Sequence, residues 1–155
     1  MLTRNFMHML GNTSGMGVDN LPKPIETSGQ ESTTALNFGV NGTDWPFHTN
    51  KFSNYSKLIL GTGTTPSKST DYNLESEITE SYDCAALSKR YIQGETKDHI
   101  NVYGVITNTG DATITVNEVG WIVKSFSSTF LMARQVLDKP VTIEPGEAKT
   151  FNVRL

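Results

Sequence analysis

Three histidines and one cysteine are the first places to look for chemistry in this 155-residue chain. His8, His48 and His99 stand far apart, and none falls in an H-x-x-x-H or C-x-x-C spacing. A structural zinc needs four N, S or O ligands in closed geometry. No metal site and no cofactor are therefore expected. Cys84 could serve as a nucleophile with His99 as its base, but Cys84-Ala85-Ala86-Leu87 reads more simply as core. Glu75, Glu77 and Glu80 form a carboxylate cluster. On a strand, Glu75 and Glu77 share one face about 7 Å apart, a separation that a glycosidase could use. Nothing apolar or basic nearby in sequence would separate their pKa values, so a solvated face is expected. Gly61-Thr62-Gly63 lacks the third glycine and the Gly-Lys-Ser/Thr of a phosphate loop, and reads as a turn that ends a strand. No catalytic residue is assigned, and no enzyme is expected.

Binding residues are easier to nominate. Phe38, Trp45, Phe47, Phe52 and Tyr55 lie in a loop-rich stretch and are candidates for contact with another surface. Trp45-Pro46-Phe47 could stack on a sugar, so a host surface glycan is the alternative partner. Trp121 lies inside an alternating strand and reads as core. Arg134, flanked by Met132, Ala133 and Val136, is either an interface arginine or one half of a buried pair, with Glu118 as its partner.

The elements that must position these residues are strands. The chain holds 20 Thr, 13 Ser, 12 Asn and 13 Gly, more than a third of its length, while charged residues make up only 19%. A helical bundle would be rich in Ala, Glu, Lys and Leu. Thirteen Lys+Arg against sixteen Asp+Glu give no basic excess for neutralising phosphates, so no nucleic-acid partner is expected. No apolar run is long enough for a membrane span. A single cysteine permits no disulfide within the chain. The first ten residues lack the apolar segment of a secretory signal, which suggests synthesis in the cytoplasm.

Two regions are expected. Residues 1–57 carry breaker signals without a sustained period and read as an extended N-terminal arm, irregular with short strands. Residues 58–155 read as an antiparallel β-sandwich of jelly-roll or Ig-like type, able to fold without residues 1–50. Its strands are expected at 57–60, 71–80, 99–107, 114–123, 130–137, 141–143 and 151–155, with 82–92 ambiguous between strand and short helix. Asn108-Thr109-Gly110-Asp111 marks a turn. Glu144-Pro145-Gly146-Glu147 fits a type II turn, with glycine at the position of positive φ. The apolar parity changes around Asn117-Glu118, which predicts a bulge or a change of sheet.

The C-terminal pieces also form a pattern in order. Leu60-Gly61-Thr62-Gly63 and Asp71-Tyr72-Asn73-Leu74 precede Glu118-Val119-Gly120. Leu131-Met132-Ala133-Arg134 and Pro140-Val141-Thr142-Ile143-Glu144-Pro145-Gly146-Glu147 follow. Over roughly residues 58–155 this resembles the small structural proteins of tailed bacteriophages. The resemblance implies a non-enzymatic virion component on capsid, neck or tail, assembling as a homo-oligomer with other virion proteins.

Overall fold

A computed structural model describes residues 1–13, 23–32, 56–85, 87–93, 99–125 and 128–155. These residues form one helix, α1 (Arg4–Thr13), and seven strands: β1 (Ser56–Gly61), β2 (Tyr82–Cys84), β3 (Ser88–Ile92), β4 (His99–Asn108), β5 (Ile114–Ser125), β6 (Ser128–Ile143) and β7 (Ala148–Arg154). The fold is all-β and sandwich-like, as expected from the alternating pattern. One sheet has the order β1-β5-β6. In the other, β4 is central, with β7 on one edge. β2 and β3 lie end to end on its opposite edge, pairing with Ile106–Asn108 and His99–Tyr103 respectively. Each sheet is thus three ranks wide. All the strand pairings are antiparallel.

Alternation decides which side chains meet between the sheets. Leu58 and Leu60 of β1, Val119, Trp121 and Val123 of β5, and Val102 and Ile106 of β4 all enter one apolar core. Phe151 and Val153 of β7 close it from the second sheet. Removing each such side chain from water contributes about 1.5–3 kcal/mol. The opposite face of the first sheet carries a smaller cluster, Ile59, Ile122, Leu131 and Leu74.

Two irregularities explain the mixed patterning of β5 and β6. The register shifts between Val116 and Glu118, where the sequence changes parity, and again between Trp121 and Ile122. At the second shift Trp121 pairs with Ala133 and Ile122 with Leu131, leaving Met132 as the extra residue. Phe130 and Ala133 therefore both reach the main core, while Leu131 and Arg134 turn to the outer face. This is why 130–137 looks apolar on both sides. The expected strands 130–137 and 141–143 are parts of one strand, β6, whose register shifts between them. The expected turns form too: Asn108 Nδ2 donates to the carbonyls of Ala112 and Ile143, and Gly146 sits at φ 74° while Glu147 N donates to Glu144 O at 2.9 Å.

Two expectations are corrected. Residues 71–80 are not a strand, for Leu74 is buried in the outer cluster, Ile78 packs on the main core and Tyr72 is exposed. The backbone donors of Glu75 and Ser76 serve a side chain instead of a ladder, as described below. Cys84 ends β2, Ala85 and Leu87 lie in no helix, and Leu87 turns into the core just before β3. Residues 1–13, the start of the expected arm, pack on the sandwich. Thr3 N donates to Met132 O and Arg134 N to Met1 O, adding a short rank to β6, and Phe6 and Met9 of α1 enter the main core. Asn5 ties α1 to residues 23–32, donating to Ile25 O at 2.7 Å and accepting from Ile25 N at 2.8 Å. Removal of residues 1–50 would therefore open the core. A ten-residue helix without an acidic first turn or a basic last turn has little stability alone, so these tertiary contacts hold it.

Candidate functional site

Glu118 and Arg134 come from adjacent strands, β5 and β6, and both point to the outer face of the first sheet. The register pairs Arg134 with Gly120, one step diagonal from Glu118, and leaves room for the guanidinium to cross. Arg134 Nε donates to Glu118 Oε2 at 2.6 Å, with Glu118 fully buried and Arg134 3% exposed. The buried pair anticipated from sequence is present.

Around this pair residues 62–80 fold as a clamp. Gly63 N, Ser76 N and Glu75 N all donate to the Glu118 carboxylate, at 3.2, 2.9 and 3.3 Å. Arg134 also donates from Nη1 to Asp71 Oδ2 at 2.9 Å and from Nη2 to Thr65 O at 3.1 Å, with Glu75 Oε2 3.6 Å away. Asp71 accepts from Lys68 N, and Glu75 accepts from both the backbone and the hydroxyl of Thr65. Each buried or half-buried charge thus has several partners, the condition under which burying it is tolerable. Burial works against the charge on Arg134, yet Asp71 and Glu118 hold its pKa above the ordinary value. A guanidinium suits this place because its planar fork serves three acceptors at once.

The two glycines of Leu60-Gly61-Thr62-Gly63 belong to the same cluster. A methyl group on Gly61 would lie 2.5 Å from Glu118 Oε1 and 2.6 Å from the backbone oxygen of Ser76. Gly61→Ala should therefore destabilise the fold by about 1–3 kcal/mol, because Ser76 O cannot swing aside as a side chain could. Urea denaturation of the variant measures it, and an unchanged midpoint would contradict the close packing.

The carboxylates read from sequence separate in role. Hydrogen bonds from the Thr65 hydroxyl and backbone hold the Glu75 pKa below its usual 4.5, while burial pushes Glu77 up. Sequence proximity offered no sign of this, since Thr65 and Arg134 come from elsewhere in the chain. A carboxyl whose folded pKa is lowered contributes stability above its unfolded pKa, and that contribution is lost as pH falls through the folded value. Melting temperature should accordingly drop as pH falls below about 4.5, and Glu75→Gln should flatten part of that slope. Identical pH profiles for the variant and the parent would contradict the assignment.

The other sequence candidates are dispersed. Cys84 pairs with Ile106 near one end of β4 and His99 begins the other end. Seven residues of strand put them roughly 20 Å apart, so His99 cannot take a proton from Cys84. Burial also raises the thiol pKa. Trp121 is fully buried, with Nε1 donating to Ser56 Oγ at 2.6 Å. Phe38, Trp45, Phe47, Phe52 and Tyr55 lie outside the described residues. Among the described residues no group of three or more His, Cys, Asp or Glu is arranged to hold a metal ion, and no helix is long and apolar enough to cross a membrane.

The sequence pairs Glu118 with Arg134 but gives no place beside them to Asp71, Glu75, Gly61 and Gly63, which it reads as strand, solvated face and turn. A signal was available: a glutamate in an otherwise apolar strand needs donors, and glycine-rich backbone is where donors can approach closely. Together these features define an antiparallel β-sandwich whose long β1–β2 connection is fastened by a buried ion cluster. Comparison with protein-family models, with curated proteins and with solved structures finds no match.

Proposed function

We propose that this chain is a non-enzymatic structural protein of a tailed-bacteriophage virion, assembling on capsid, neck or tail through its sandwich edges and N-terminal region. One observation carries the reading. Four pieces of the phage-like pattern, Leu60 to Gly63, Asp71 to Leu74, Glu118 to Gly120 and Leu131 to Arg134, are scattered over 75 positions of sequence. In space they meet at the clamp around Glu118 and at the Leu74 cluster beside it. The pattern therefore describes one architectural device, in which charge, glycine and strand register depend on each other. Such a device fixes a surface for assembly and turns over no substrate. Other virion proteins and further copies of the chain are its partners, and the virion is its location.

Deleting the coding sequence from the phage should yield particles lacking one part, or unjoined parts, and purified protein should restore joining. Particles of unchanged composition and infectivity would contradict the proposal.

A further inference from the structure

The edges of the two sheets are treated differently by the chain. In the first sheet, β6 is bordered by Met1, Thr3 and Thr27, whose backbones bond to Arg134, Met132 and Thr129. β1 is bordered by Ser76 and Ile78, which exchange backbone bonds with Thr62 and Leu60. Both edges are thus covered by segments from outside the sheet, a common protection against unwanted strand pairing.

β7 is not covered in this way. Ile100 and Leu155 donate to each other, and Asn108 N donates to Glu147 O, which fixes the odd-numbered residues of β7 as those bonded to β4. The N–H and C=O groups of Ala148, Thr150, Asn152 and Arg154 therefore face the free edge. Arg154 N is taken by Gln135 Oε1 at 3.3 Å. Ala148, Thr150 and Asn152 have no backbone partner on that side among the described residues, and their side chains are exposed. Strand β7 contains no proline and no bulge that would turn a new strand away.

We propose that the β7 edge pairs with the β7 edge of a second copy of this chain, antiparallel across a two-fold axis near Thr150. Two features select a second copy over another partner. An antiparallel strand edge is self-complementary under a two-fold axis, since each residue gives and receives the same contacts in both copies. Charge is also graded along this edge: Glu144 and Glu147 precede the strand, Glu147 being paired with Lys149 at 3.2 Å, and Arg154 ends it beside His99. Antiparallel pairing sets the acidic end of each copy next to the basic end of the other. The residues whose backbone faces the edge between these ends, Ala148, Thr150 and Asn152, are small and uncharged, and a two-fold axis at Thr150 sets Lys149 opposite Phe151 and not opposite another charge.

This inference rests on the assembly reading for its biological sense, but its test uses the purified full chain. Sedimentation velocity over a range of concentrations should show a monomer–dimer equilibrium. Thr150→Pro removes one edge N–H per copy at a site where proline is tolerated, and should weaken the dimer about thirtyfold. Thr150→Ala, which keeps the N–H, should leave the dimer nearly unchanged. Arg154→Glu sets acid against acid and should also weaken it, which covers the case in which the proline variant does not fold. A wild-type chain that stays monomeric at several hundred micromolar, or equal dimerisation of the Pro and Ala variants at Thr150, overturns the inference. A monomer that still enters particles would remove the edge pairing and leave the assembly reading standing, whereas a dimer that never enters particles would do the reverse.

Discussion

Glu118→Ala should destabilise the fold by about 3–5 kcal/mol, the range for breaking a buried ion pair by removing one partner. The loss is large because the carboxylate is shared. Arg134 would keep Asp71 but lose its shortest partner at a site only 3% exposed. Gly63 N, Glu75 N and Ser76 N would lose their common acceptor, and unsatisfied buried donors add to the loss. Glu118→Gln should recover only part of it. One amide oxygen can still accept from Ser76 and Gly63, but the amide nitrogen would face Arg134 Nε, donor against donor. At about 2–4 °C per kcal/mol for a chain of this size, the alanine variant should melt roughly 6–20 °C lower. Hydrogen exchange should rise first in residues 62–80, the segment that the carboxylate holds. Protection there equal to the parent's would contradict the clamp.

Trp121→Ala should lose a similar amount, about 3–5 kcal/mol for an emptied aromatic site, with a different local signature. Trp121 sits where the sheets and α1 converge. It pairs with Leu58 and Ala133 across strands, its ring lies 6.2 Å from that of Phe6, and its indole N–H is satisfied by Ser56. The cavity would remove the surface on which α1 packs, so limited proteolysis should cut within residues 1–13 before the rest of the chain. Trp121→Phe keeps most of the volume but leaves Ser56 Oγ without its donor, and should fall between the two. Loss of stability without earlier cleavage near the N-terminus would show that α1 is held mainly by Asn5 and the β6 edge.

The legible parts of this fold were those governed by neighbours in sequence. The turn at Asn108 to Asp111, the glycine of positive φ at Gly146 and the parity change at Asn117-Glu118 all depend on a few consecutive residues. Arg134 and Glu118 could be matched because both interrupt apolar strands and each needs the other. The clamp was hidden for a physical reason. Residues 71–80 carry apolar side chains on even positions, as a strand would, but the backbone donors of Glu75 and Ser76 find a carboxylate more than forty residues away. Alternation alone cannot register such a competitor. Helix α1 was hidden in a related way. Its apolar run, Phe6 to Leu10, is short and uncapped by charge, and its stability comes from Trp121 and Ile25 far along the chain. Asp71, Glu75, Gly61 and Gly63 entered the site through that same long-range geometry.

The proposed structural role in a virion is tested most directly by quantitative mass spectrometry of density-purified tailed-phage particles produced from a genome that carries this coding sequence. The chain should be present at a fixed copy number relative to the major capsid protein, unchanged by further purification. Its absence from such particles, while it accumulates freely in the lysate, would contradict the role.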